Sequence, residues 1–272
     1  KFYGPMRYCS LQIIKYIREY YDGEIGVMID AKEINHIDKL NELINPINKD
    51  IDFFRIAIAP NNCIQFKSLI EKSNLDISKT SINLMRMHIY FKDKKFVERI
   101  LKNYSHFQCI SFVDSYGSMF PDDIFAFMEN INNMKIKQKL NTSFGFHPHN
   151  NLNLAFANTL AALKNNVDIV DATIGGFGRG AGNLQTELLS CFLVKKYNME
   201  NIDLDTVSYL IEEFEYLRSK FGWGYSFAYM LSGLYQKYPD YINEARSQLS
   251  TINRSLSNKK PLNSKLKNIN RI

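Results

Sequence analysis

The sequence predicts an α/β fold of the (β/α)8-barrel type, and three observations carry that expectation. Apolar runs of strand length alternate with segments of helical periodicity from residue 24 to about residue 194. The runs read as apolar throughout rather than alternating, which describes a parallel sheet covered by helices. Polar residues collect where the runs end: Asp30, Arg55, His88, Asp114, Ser115, His147, His149, Asp171 and Thr173. In a barrel of this type that is the rim on which active sites are built.

In chain order, residues 11–21 carry apolar side chains at helical spacing and Asp22-Gly23 closes the helix. A strand over 24–30 follows, ending in Asp30, then a helix over 37–44, a strand over 52–58 and a helix over 63–73. The unit repeats as a strand over 82–89, a helix over 96–104 and a strand over 109–115. Residues 121–131 form a helix with Pro121 at its start and Asp122 and Asp123 in the first turn, where the helix dipole favours negative charge. The β-branched, aromatic and small residues of 142–146 suit a buried strand that delivers His147 and His149 to its mouth, and a helix then runs from Asn151 to residue 163. A strand over 167–174 leads into the glycine-rich 175–182, with a helix expected from Asn183 to residue 194. Beyond residue 196 the pattern turns wholly helical, with helices over 206–220 and 227–238 separated by Phe221-Gly222-Trp223-Gly224-Tyr225-Ser226. The expected organisation is a partial barrel over 1–196, a helical extension over 197–246 and a basic, weakly ordered tail over 247–272.

The expected strands number six, whereas a closed barrel needs eight. The expectation is a barrel without its first two strands, through truncation, completion by a partner, or an open sheet. A broken barrel edge calls for pairing or shielding, which makes a homo-oligomer an expected solution.

Composition narrows the class. With 45% hydrophobic and 23% charged residues, the 272-residue chain can bury a large core. There is neither a signal-like start nor an apolar run of membrane length, so a cytoplasmic setting without membrane contact is expected. The net charge of +6 owes much to Arg254, Lys259, Lys260, Lys265, Lys267 and Arg271 in the tail, and no motif of nucleic-acid recognition accompanies it. Cys9, Cys63, Cys109 and Cys191 form no Cys-x-x-Cys pair and read as reduced, mostly buried small hydrophobes.

His147 and His149 are two apart on one strand, so their side chains share a face about 6–7 Å apart at Cα. They either hold one divalent metal or are ordinary polar residues at a strand mouth. Asn183 is placed to cap the helix after the glycine loop, and the loop itself could cradle a phosphate.

Three segments together carry a resemblance: Val113-Asp114-Ser115-Tyr116-Gly117; His147-Pro148-His149-Asn150-Asn151 with the helix after it; and Val170-Asp171-Ala172-Thr173 leading into Gly175 to Asn183. Roughly residues 24–193 resemble the DRE-TIM metallolyases, which include hydroxymethylglutaryl-CoA lyase, the isopropylmalate and homocitrate synthases and 4-hydroxy-2-oxovalerate aldolase. The aldolase branch is the most similar. The resemblance implies that His147 and His149 ligate Mn²⁺ or Mg²⁺, that Asn183 reaches the same metal, and that Asp114 and Ser115 lie at the substrate, with Ser115 on its carboxylate. It implies a pyruvate-like 2-oxo acid as substrate, with Lewis-acid stabilisation of an enolate as a carbon–carbon bond breaks or forms. Arg179 on the glycine loop is a candidate partner for an anionic substrate group. Family aldolases can take a tyrosine from their C-terminal region as acid/base, which makes Tyr225 the candidate for that role; otherwise it belongs to an aromatic packing cluster between two helices. Asp171 and Thr173 are expected to orient neighbours rather than react. The Asp-Arg-Glu strand end of that family has no counterpart here, and Asp30 ends what looks like the family's third strand. Two imidazoles and an amide without a carboxylate imply weaker metal binding. Loss of the enolate-stabilising arginine implies a rate lower by about 10²–10³. The alternative expectation is a non-catalytic chain that keeps the fold for binding or assembly.

Overall fold

The computed structural model describes residues 9–237. Six strands, β1 (Gly26–Asp30), β2 (Phe53–Ile58), β3 (Thr80–Leu84), β4 (Cys109–Asp114), β5 (Ser143–Pro148) and β6 (Ile169–Val170), form one sheet in sequence order. Each pairs in parallel with the next. Helices α1 (Leu11–Tyr20), α2 (Ile37–Ile44), α3 (Cys63–Glu71), α4 (Met87–Phe91), α5 (Lys94–Tyr104), α6 (Pro121–Gln138), α7 (Ala155–Leu163) and α8 (Thr186–Tyr197) intervene, and α9 (Leu204–Phe221) and α10 (Phe227–Leu234) follow. Among the described residues β1 and β6 are the two edges of this sheet.

Strand side chains alternate between faces, and the register sorts them by chemistry. Ile29, Ile56, Ile82, Ile110 and Phe144 stand side by side, all buried, in one core with Leu40 and Ile44 of α2, Phe66 and Ile70 of α3, Val97, Ile100 and Leu101 of α5, and Ile124 and Ile131 of α6. Each such side chain contributes about 1.5–3 kcal/mol of burial. The opposite face carries Met28, Arg55, Ser81, Cys109 and Ser143 in one row, and Asp30, Ala57, Asn83, Ser111 and Gly145 in the next. The strands are therefore not apolar throughout. Their inner face is lined with small and polar groups that the overall hydrophobicity of each run conceals.

Several boundaries differ from expectation for local reasons. The strand expected over 82–89 stops at Leu84, because Arg86 turns into the left-handed region (φ 60°, ψ 54°) and starts α4, which puts His88 on a helix rather than a strand end. The helix expected from Asn151 begins at Ala155: Ala155 N–H donates to Asn150 Oδ1 at 3.1 Å, and Asn153 adopts φ 57°. The helix expected from Asn183 begins at Thr186, with Gln185 at the cap position and no side-chain capping bond, so Asn183 is not its N-cap. Helix α6 continues to Gln138, and α9 starts at Leu204 under a cap from Asp203. Cys63 and Cys109 are buried as expected, whereas Cys191 is exposed. Among the described residues no helix is long and apolar enough to cross a membrane. The expected tail over 247–272 lies outside the described residues.

Candidate metal and substrate site

His147 lies within β5 and His149 just beyond it, their ring centroids 4.9 Å apart. Each ring has its Nδ1 committed. His149 Nδ1 lies 2.9 Å from the carbonyl oxygen of Asp114; a carbonyl only accepts, so Nδ1 carries the proton and Nε2 the lone pair. His147 Nδ1 lies 2.7 Å from Asp171 Oδ2 and stands in the same relation to an ionised carboxylate. Burial would raise the Asp171 carboxyl, but its bonds from His147 and Arg55 prevail and hold it down at about 2. Burial, with the neighbouring His147 and Arg179 acting in the same sense against the Asp114 bond, depresses His149 to about 3. His149 is thus neutral at physiological pH, the form that binds a metal.

Behind the histidines, Arg55 reaches across the inner face of the sheet. Its Nη1 and Nη2 donate to the two oxygens of Asp171, both at 2.7 Å, and its Nε donates to Asn83 Oδ1 at 3.1 Å. The result is a continuous series, Asn83 to Arg55 to Asp171 to His147, that fixes both tautomer and ring orientation, as carboxylates behind metal-binding histidines commonly do. Asp171 thus bonds both Arg55 and His147, whereas Thr173, of which the same role was expected, donates from Oγ1 to Phe177 O at 2.8 Å. The sequence groups Arg55 with the polar residues of the strand ends, whereas it lies inside β2; a charge there needs a partner, but nothing local names Asp171.

Asn183 joins the pair through the backbone. It forms an isolated antiparallel bridge with His149, and Asn150 N–H donates to Gly182 O at 2.9 Å. Its Nδ2 donates to Phe177 O at 2.9 Å, while Oδ1 is buried without a hydrogen-bond partner. A buried acceptor left so costs about 1–3 kcal/mol, and a cation is one way to satisfy it. Gly178 permits the loop to close on this amide, since a Cβ there would stand 2.6 Å from Asn183 Nδ2. Two imidazole nitrogens and an amide oxygen fit a divalent ion. The set lacks a carboxylate: among the described residues no three His, Cys, Asp or Glu side chains group as metal ligands.

Asp114 is placed otherwise than expected. It is fully buried, its Oδ1 and Oδ2 accept the amides of Ser118 and Met119 at 3.1 Å, and it offers the site its backbone carbonyl rather than its carboxylate. Desolvation raises its carboxyl to about 6 against those bonds. The Ser115 hydroxyl accepts the Arg86 amide at 2.8 Å, which leaves its own proton to donate. Arg179 is exposed on the glycine loop. Tyr225, 65% exposed, lines a cleft of about 320 Å³ with Asn150, Asn183, Gln185, Arg218 and Trp223. That cleft shares Asn183 with the histidine pair, but neither imidazole lines it. The aromatic cluster expected around Tyr225 involves Trp223 instead, whose ring meets Phe177 edge-on at 4.9 Å and whose Nε1 donates to Gly175 O at 2.9 Å. Asn151, given no role in the sequence beyond its place in the His-Pro-His-Asn-Asn segment, is buried and donates from Nδ2 to Tyr229 O and Ser232 Oγ, tying α10 to the loop after β5.

Known proteins resemble this chain in sequence and in fold. A family model described as HMGL-like matches residues 66–212, more than half of the chain. The oxaloacetate decarboxylase of Mycobacterium tuberculosis is 31% identical over 157 residues, 58% of this chain and 45% of that protein. The 4-hydroxy-2-oxovalerate aldolase of a Roseiflexus species is 31% identical over 196 residues, 70% of this chain and 54% of that one. The chain thus spans about half the length of these curated relatives. The crystal structure of the N-terminal domain of a candidate aldolase from Bacteroides vulgatus superposes with a TM-score of 0.77 at 29% identity, covering 91% of this chain and 81% of that one. The carboxyl transferase domain of Rhizobium etli pyruvate carboxylase, at 15% identity and a TM-score of 0.67, shares the fold over 87% of this chain and 42% of that one.

Proposed function

The chain belongs to the HMGL-like family, and from that premise we propose that it is a divalent-metal-dependent carbon–carbon lyase acting on 2-oxo acids of the pyruvate type. The observation that carries the reading is the donor set: two imidazoles with Nδ1 committed and Nε2 available, beside the buried and unpartnered Asn183 Oδ1. His147, His149 and Asn183 would hold Mn²⁺ or Mg²⁺, which supplies Lewis acidity to the oxygens of the 2-oxo acid.

The remaining roles belong to side chains of this chain. Asp171 keeps His147 in its Nδ1–H form, and Arg55, with both terminal nitrogens on Asp171, holds that carboxylate in place rather than meeting substrate. Ser115 donates its hydroxyl proton to a carboxylate oxygen of the substrate. Arg179 adds positive charge from the glycine loop. Tyr225, at the mouth of the cleft that contains Asn183, is the candidate acid/base and would pass a proton through its phenol oxygen. One observation favours a second reading, a chain that retains the fold for binding or assembly without turnover: the absence of a carboxylate ligand among the described residues.

The test is exchange of the methyl protons of pyruvate with solvent, measured on the full-length gene product with Mn²⁺. Exchange is expected, His147→Ala is expected to abolish it, and removal of the metal by a chelator to do the same. No exchange above background in the wild type would overturn the lyase reading in favour of the second.

A further inference from the structure

We propose that helix α10 is a latch on the metal site: seated, it holds both backbone segments that set His149 and brings Tyr225 with it, so that metal binding and seating of the helix strengthen one another. The inference rests on the metal reading of His147 and His149, and it makes Asn151, Ser232 and Gly233 positioning residues.

The segments that set His149 meet at α10. His149 Nδ1 bonds the Asp114 carbonyl oxygen, which also accepts the Gly117 amide at 3.1 Å. Gly117, at φ 52°, lies so close to the second segment that a Cβ on it would stand 2.8 Å from His149 O and 2.6 Å from the Asn151 amide nitrogen. Glycine alone suits both that dihedral and that approach. Onto this junction comes Gly233 of α10, where a Cβ would stand 3.2 Å from the carbonyl oxygens of both Tyr116 and Gly117 and 2.9 Å from Asn151 Cβ. Asn151 Nδ2 donates to Tyr229 O at 3.0 Å and to Ser232 Oγ at 3.1 Å. One helix thus touches both segments joined by the hydrogen bond that fixes the His149 tautomer and ring.

The same helix is held lightly. Its seated face consists of Ala228, Ser232 and Gly233, small residues that bury little apolar area, whereas Phe227 and Leu234 are each 58% exposed. Two hydrogen bonds and a close fit hold it rather than a cluster of large side chains, and elements of that kind open at low cost. The chain before it is pinned and then released. Trp223 Nε1 donates to Gly175 O at 2.9 Å, and the Gly224 amide to Gly180 O at 3.0 Å. Gly224 itself adopts φ 112° with nothing within 4 Å of where a Cβ would lie, so the backbone can turn there without obstruction. Tyr225 lies beyond that hinge. It therefore travels with α10, and seating of the helix is what places it in the cleft beside Asn183.

Linkage sets the effect in both directions: if seating tightens the hold on a metal by a given factor, the metal favours seating by the same factor. Hydrogen exchange followed by mass spectrometry and calorimetric titration with Mn²⁺, both on the full-length protein, read the two halves. Saturating Mn²⁺ is expected to slow the amides of 227–234 about tenfold in the wild type. Gly233→Val drives a branched side chain against two carbonyl oxygens; it is expected to speed exchange in 227–234 and to weaken Mn²⁺ binding about tenfold, while 109–114 stay protected and show that the sheet is intact. Ser232→Ala removes one of the two acceptors of Asn151 and is expected to shift both quantities the same way by less, about threefold. If 109–114 lose protection in G233V, S232A alone decides. Mn²⁺ bound by the wild type without any change in 227–234, or an unaltered affinity in the deciding variant, would overturn the latch and leave the metal reading standing. No Mn²⁺ binding by the wild type would overturn the metal reading and the latch with it.

Discussion

Asp171 takes two donors at once, the Arg55 guanidinium on both oxygens and the His147 ring on one of them. Removing one partner of such an arrangement leaves the other buried and uncompensated, which is far more costly than losing an exposed pair such as Arg218 with Glu215. Asp171→Asn tests its role directly. The amide has no charge to offer Arg55 and only one accepting oxygen where the carboxylate has two. The Mn²⁺ affinity of the full-length protein, measured by titration, is expected to fall about 10–100-fold, as when a carboxylate behind a ligating histidine is lost. An unchanged affinity would mean that the series from Asn83 to His147 serves the fold and not the metal.

At the level of elements, helix α1 and the edge strand β1 are stapled by one carboxylate. Asp52 Oδ2 accepts the Ile25 amide at 2.7 Å and the Arg18 guanidinium at 2.6 Å, and Arg18 also reaches Gly23 O at 2.8 Å. The Ile25 amide and then Arg18 hold the Asp52 carboxyl below the usual carboxylate range, with a small opposing effect of desolvation. A lowered folded-state value means that the stability Asp52 lends is fully present above the ordinary aspartate pKa of about 4 and is lost as pH falls through its lower folded value. Thermal melts of wild type and Asp52→Asn are therefore expected to differ at neutral pH and to converge under acid; a constant gap down to the most acidic melt would refute the linkage. At the opposite end, α10 seats against the site through Gly233, where a Cβ would stand 2.9 Å from Asn151 Cβ and 3.2 Å from Gly117 O. The helical extension is thus part of the site's support, with Asn151 as its hydrogen-bonded counterpart.

Across the whole molecule, stability is graded by position in the sheet. β4 and β5 have strands on both sides and nearly every residue buried, whereas β1 exposes Met28 at 51% and the two-residue β6 exposes Ile169 at 40%. Hydrogen exchange followed by mass spectrometry is expected to show the slowest amides in 109–114 and 143–147, and faster exchange in 26–30 and 169–170. Uniform protection across the sheet would mean that both edges are covered in solution, the outcome that an oligomer built on those edges would produce.

Much of the fold was legible in the chain itself. Alternating strand-length and helical runs imply a parallel α/β sheet, and Pro121 with two aspartates after it marks the start of α6, because periodicity and local sterics act over a few residues. The spacing of His147 and His149 on one strand was equally a local property, and it is where the structure keeps them, on one strand end with rings 4.9 Å apart. Other features depended on which strands stand opposite one another. Arg55 and Asp171 meet across 116 residues of sequence, Asn151 meets Ser232 across 81, and Asn183 lies beside His149 instead of capping a helix. A side chain's partner at such distances is set by sheet register and by the curl of the inner face, which no short window of sequence contains. Short-range pattern carries the layers and the two histidines; long-range register sets Asp171 behind His147 and the Asp114 carbonyl behind His149, and leaves the Asn183 amide oxygen without a partner.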